Sequence, residues 1–224
     1  MTLRPITLLA APLFALLCAS AMASDGGMEP AVADIAHRWA AITYHTQASG
    51  QEAAFKALAE TADQLASSAP NDPQPKVWQA IVLSSYAKAN GGLGALSAVR
   101  KARDLLLDAE ALEPTTLGGS IYTSLGSLYA KVPGWPIGFG DKDKARHYLD
   151  TALTINPEGI DAHYFYASLL ADQGNFSDAA AHLKQALAAP PRPGREDADA
   201  GRRDEAQALL DSIRQDHGDT LAAR

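Results

Sequence analysis

The 224-residue sequence predicts an all-α fold in which three to four antiparallel helical hairpins stack side by side and a last helix caps the pile. Three observations carry this. Apolar residues recur at steps of three and four, as at Ile35, Trp39 and Ile42 and again at Phe176, Ala179, Ala180, Leu183, Ala186 and Leu187, the spacing of one face of an α-helix. No stretch alternates β-branched or aromatic residues with polar ones long enough to make a strand. Finally, Ala102, Leu106, Ala109 and Pro114 recur as Ala145, Leu149, Ala152 and Pro157, and once more as Ala179, Leu183, Ala186 and Pro191, so one pattern is written three times.

The first element is an address. Residues 1–23 open with Arg4, run through the apolar stretch Ile6 to Ala19 and end in Ala21-Met22-Ala23, the layout of a secretory signal peptide; Pro12 and the small residues after it argue against a membrane-spanning helix. The expected destination is outside the cytoplasm, the periplasm if the source is Gram-negative. Lipid attachment at Cys18 is the alternative, although Leu17 stands where that processing normally has a small residue. Loss of 1–23 removes the one cysteine, which excludes disulfides, thiolate metal sites and cysteine nucleophiles from the mature chain. With 47% hydrophobic residues the remainder can bury a core, and a formal net charge of −7 gives no general attraction to nucleic acid or to an anionic bilayer.

After a short tail, 24–29, the repeat domain is expected over 30–217. Turn-forming clusters at Ser49-Gly50, Pro70 to Pro75, Gly91 to Gly94, Glu113-Pro114, Pro133 to Gly140, Asn156-Pro157 and Pro190 to Gly194 divide it into units at about 30–73, 75–114, 119–157 and 160–191, with a cap at 198–216. The first helix of a unit carries an aromatic anchor and small residues, as in Trp78, Tyr122 with Leu125-Gly126 and Tyr129, and Tyr166-Ala167 with Leu170. Small residues such as Gly126, Ala145, Ala167 and Ala179 let helices approach, and the bulky ones between them fill the gap. In the cap, Ala206, Leu209, Leu210 and Ile213 share one stripe.

These residues resemble the tetratricopeptide repeat superfamily, whose first helix carries an aromatic, Leu-Gly and an aromatic, and whose second carries Ala, an aromatic or aliphatic, Ala and Pro. The match is fullest over Ile160 to Pro191; the units at 119–157 and 75–114 carry extra residues, expected in the turn between their helices. The resemblance implies a right-handed α-solenoid. It also implies a concave groove lined by Ser120, Thr123, Ser127, Ala130 and Lys131 and by Asp161, Tyr164, Ser168, Ala171 and Asp172. The Lys/Asn/Arg clamp with which some relatives grip a C-terminal carboxylate is missing, since Gln79, Leu83, Thr123 and Ser127 hold the equivalent places.

Chemistry has little to work with. There is no Gly-x-Ser-x-Gly elbow, no His-Glu-x-x-His and no pair of Cys-x-x-Cys, and the run Gly134 to Lys142 lacks the Gly-Lys-Ser/Thr ending of a phosphate loop. His37, His45, His147, His163, His182 and His217 are scattered, so no catalytic centre, metal or cofactor is expected. The loop Pro133 to Asp141 departs most from the repeat. Asp141 is expected to cap the next helix, while Trp135, Ile137 and Phe139 either fold back over the neighbouring hairpin, the favoured expectation, or face a partner. Arg192, Arg195, Arg202 and Arg203, mixed with acids, are expected to form exposed ion pairs that fix the cap. The function expected is that of an exported, non-catalytic scaffold or adaptor, binding a protein or peptide partner through the groove and the loop. It has no nucleic-acid partner and no membrane span once the signal is removed, and oligomers are possible. The alternative is an oligomeric solute-handling subunit resembling the T-component of TRAP-type transporters.

Overall fold

The computed structural model describes residues 27–222, so the expected signal peptide, Cys18 and the first half of the short tail lie outside the described residues. Nine α-helices follow one another among these: α1 (Pro30–His45), α2 (Ala48–Ser68), α3 (Pro73–Asn90), α4 (Gly92–Leu112), α5 (Ser120–Lys131), α6 (Lys142–Ile155), α7 (Ile160–Asp172), α8 (Phe176–Ala188) and α9 (Glu196–Ala222), with a 3-10 turn at Thr116–Gly119 before α5. No strand is present among the described residues. Successive helices pair as hairpins, and α1, α3, α5, α7 and α9 form an inner row in which each touches the next but one along the chain. This is an all-α solenoid.

Local chemistry sets the boundaries. Asp72 accepts from the Gln74 N–H with Pro73 opening α3, and Asp141 accepts from the N–H groups of Asp143 and Lys144 to start α6, the capping role expected of it. At the end of α1, Gln51 Nε2 donates to the carbonyls of Ile42, Thr43 and Thr46, which the helix itself leaves unpaired. The α1–α2 break therefore falls at Thr46-Gln47, and Ser49-Gly50 belong to the first turn of α2. The extra residues of the 75–114 unit do not lengthen a turn either. Gly91 alone separates α3 from α4, at φ 64°, and the surplus goes into the helices, 18 and 21 residues long against 13 and 13 for α7 and α8. No proline lies between Pro75 and Pro114, so both helices run on until a glycine free to turn left-handed reverses the chain.

The repeated small residues are the contact points. Ala102, Ala109, Ala145, Ala152, Ala179 and Ala186 are all fully or almost fully buried beside Leu106, Leu149 and Leu183. A Cβ at Gly126 would lie 2.6 Å from Leu149 Cγ, so the α5–α6 crossing has room only for hydrogen at that position. The main core runs from α3 to α9, and a second cluster joins Val32, Ile35, Trp39, Leu58, Trp78 and Val82 with one residue of α9, Ala198. The last helix thus does more than cap its neighbour. It begins against α1, passes α7 and ends against α8, with Ala206, Leu210 and Ile213 buried in the main core.

Candidate functional site

The loop between α5 and α6 divides its three large apolar residues. Phe139 folds back as expected, edge-on to Tyr129 at 5.3 Å, with the Arg103 guanidinium 4.7 Å from its ring centre. Trp135 and Ile137 do not: they are 90% and 60% exposed. The correction has a backbone cause. Gly140 N–H donates to Pro133 O and Asp141 N–H to Tyr129 O, both at 2.9 Å, which draws the two ends of the loop together over Tyr129. Ile137 and Gly138 N–H both donate to Gly134 O, so the segment 134–138 closes as a tight turn whose side chains point away from the body. Gly138 and Gly140 lie so close to the carbonyls of Pro133 and Val132 that neither position has room for a Cβ. The Trp135–Pro136 peptide bond is cis.

The groove residues fall into separate settings. Ser120 Oγ donates to Leu117 O and Thr123 Oγ1, buried, to Gly119 O, so both hydroxyls serve the turn before α5. Lys131 Nζ reaches Ser168 Oγ and Asp172 Oδ2, each at 2.8 Å, an exposed bridge from α5 to α7. Ser127 is half-buried beside them in the same helix. Gln79, at one of the places equivalent to the clamp, is buried and donates to Asp63 of α2, which also holds Lys101 of α4.

Asp161 and Tyr164 are only part-exposed, because the chain's own C-terminal arm packs on them. Arg192 Nη1 and Arg202 Nε hold the two oxygens of Asp161 at 2.8 and 2.7 Å. The Arg202 guanidinium lies 4.5 Å from the Tyr164 ring centre and 4.7 Å from that of Phe165. Arg192 also binds Asp199, and Arg202 binds Glu205. Further along, Arg195 stacks on Trp78, Gly194 O lies 2.7 Å from His37 Nε2, and Gly201 rests against the Tyr44 ring. The ion pairs expected at the surface are therefore partly buried: the side chains of Arg202 and Asp199 are only 8% and 2% exposed, while Asp161, Arg192 and Glu205 keep 26%, 32% and 33%. Burial pushes the Asp161 carboxyl up, but the charges of Arg192, Arg202 and Arg195 outweigh it and hold the group well below the ordinary carboxylate range. Spacing in the sequence showed these arginines among acids; that the segment doubles back onto α1 and α3 carries no local signal.

Two histidines do meet. His163 Nδ1 and His182 Nδ1 are 2.9 Å apart, and His163 Nε2 donates to Pro157 O at 2.9 Å, so His163 Nδ1 is the acceptor and His182 the donor. The ring centroids are 5.2 Å apart, which is the nitrogen gap plus a ring radius at each end. The rings meet head-on, as in a straight N–H···N bond; two ligands of one ion would be bent towards each other. Burial and the neighbouring His163 push the His182 pKa down against the opposing pull of Asp178 and Asp150. Among the described residues no group of three or more His, Cys, Asp or Glu is placed to hold a metal ion. No described helix is long and apolar enough to cross a membrane.

A stack of antiparallel helical hairpins is the architecture of a helical repeat protein. The model of the family described as "Tetratricopeptide repeat" matches residues 137–195, from the loop through α6, α7 and α8 into the arm. Among solved structures the chain is similar to a thermophilic tetratricopeptide repeat protein of Thermus thermophilus, at 18% identity and a TM-score of 0.40, over 79% of this chain and 100% of that one. No curated protein matches the chain in sequence. Residues 137–195 therefore carry tetratricopeptide repeat sequence.

Proposed function

We propose that this is an exported, non-catalytic scaffold of the cell envelope that binds a protein partner through the Pro133–Gly140 loop. The observation that carries the reading is the 90% exposure of Trp135 on a loop whose base is tied down by backbone hydrogen bonds and by Phe139. An indole held out in water forgoes roughly 1.5–3 kcal/mol of burial, which a partner surface recovers on binding. The loop is the principal apolar projection, for besides Trp135 and Ile137 the one large hydrophobic residue exposed among the described residues is Leu112, at 44%. Export rests on the composition of residues 1–23.

The test uses the full mature chain immobilised on resin against an envelope extract of the source cells. A protein retained by the wild type and lost with Trp135→Ala plus Ile137→Ala supports the reading; identical retention by both chains overturns it. Cell fractionation with mass determination of the purified chain checks export: an intact Met1 on cytoplasmic protein removes the envelope from the proposal. A stable oligomer by light scattering, unaffected by the double substitution, moves the balance to the solute-handling alternative.

A further inference from the structure

The loop does not project from a neutral surface. Arg100 of α4 lies along its outer end, with Nη2 3.4 Å from Ile137 O. Lys144 of α6 lies near the base of the loop, Nζ 5.5 Å from the centre of the Tyr129 ring on which Phe139 rests. Neither cation has a carboxylate within ion-pair distance among the described residues. The acids nearby are engaged: Asp104 holds Arg103, Asp141 caps α6, and Asp143 sits in the first turn of α6, where the helix N-terminus favours negative charge. An exposed indole and an exposed isoleucine thus sit on a loop that has one cation without an ion-pair partner at its outer end and another near its base, on a chain whose net charge is −7.

Resting on the proposed function of the same loop, we infer that its partner is a protein presenting an apolar pocket of indole size with carboxylates on the rim. The tip buries in the pocket, and the rim acids meet Arg100 and Lys144. A lipid surface fits less well. Stable interfacial binding needs a broad apolar face or a second anchor, whereas this tip offers one Trp and one Ile, and the net negative charge of the chain opposes approach to an anionic bilayer. An exposed aromatic on a loop whose base is tied down is instead the kind of residue that dominates protein interfaces, and charges at a rim act chiefly on the rate of encounter.

The experiment measures binding kinetics of the full mature chain against the protein whose retention depends on Trp135, at about 50 and about 300 mM salt, two concentrations at which screening differs strongly. Trp135→Ala is expected to speed dissociation about thirtyfold or more. Arg100→Glu with Lys144→Glu is expected to slow association about tenfold and to remove its salt dependence, leaving dissociation little changed. Association that is unaltered by the charge reversal overturns the acidic rim while the loop's docking role stands. If no protein depends on Trp135, the functional reading falls as well. Two further arms decide the occupant: Trp135-dependent flotation with vesicles of phosphatidylethanolamine and phosphatidylglycerol at about 3:1 would replace the protein with a membrane, and a dimer lost on Trp135→Ala would replace it with a second copy. Circular dichroism of each variant separates lost binding from lost folding.

Discussion

At the scale of single residues, Asp161 shows how far sequence position and role can differ. The resemblance puts it on a groove wall, while in the folded chain it is the acceptor that anchors two arginines from the C-terminal arm. Removing it leaves the buried Arg202 and the part-exposed Arg192 each with one carboxylate in place of two, since Arg192 keeps Asp199 and Arg202 keeps Glu205. Breaking a buried pair from one side costs about 3–5 kcal/mol, so Asp161→Ala is expected to lose about 3 kcal/mol in urea unfolding. Its pH dependence has a definite sign. Because the folded pKa lies below the unfolded 3.8, the carboxylate's contribution is present in full above that value and is lost as pH falls below it towards the folded value. Asp161→Asn should flatten the acid limb of the stability curve. An acid limb identical to the wild type's would mean that the arginines do not hold this group.

Within one element, the α5–α6 loop contains two aromatics with opposite duties. Phe139 packs between Tyr129 and Arg103 and fastens the loop to the stack, so Phe139→Ala is expected to cost about 1–3 kcal/mol. Trp135 touches too little to matter for stability, and Trp135→Ala should change it by no more than about 0.5 kcal/mol. Thermal unfolding of the two variants side by side is the check, and a large loss for Trp135→Ala would show that the tip packs against the body. The sequence spoke to this loop as a unit: prolines, glycines and aromatics marked an insertion. Which aromatic turned inward depended on the hydrogen bonds from Gly140 and Asp141 to carbonyls at the end of α5 and just beyond it, and these follow from how α6 docks.

Over the whole molecule, the arm and α9 change a linear stack into one whose ends are tied. An open array of hairpins holds each unit only to its neighbours, so distant units can unfold separately. Here Ala198 packs with Trp39 and Trp78 near the N-terminus, while Leu210 and Ile213 of the same helix pack in the main core. A single cooperative transition is the expected result. In a Trp135→Phe background the remaining tryptophans, Trp39 and Trp78, report the N-terminal cluster, and their fluorescence midpoint in urea should coincide with that of far-ultraviolet circular dichroism. Midpoints that separate would show that α9 does not couple the two ends.

Read from sequence, the helices, their order and the small-against-large contacts of Ala102, Ala145 and Ala179 with their leucines were all legible, because helical periodicity, capping and close packing act over a few residues. The extra residues between Pro75 and Pro114 were visible as a count, but whether they made a loop or longer helices depended on Gly91 turning the chain at one point. What only tertiary structure decided was long-range: the covering of Asp161 and Tyr164 by Arg192 and Arg202, the contact of Gly201 with Tyr44, and the placing of Arg100 beside Ile137. Those contacts join positions far apart in the chain, and they arise from the angle at which each hairpin packs on the last, a quantity set by the sum of all the interfaces together and written at no single position.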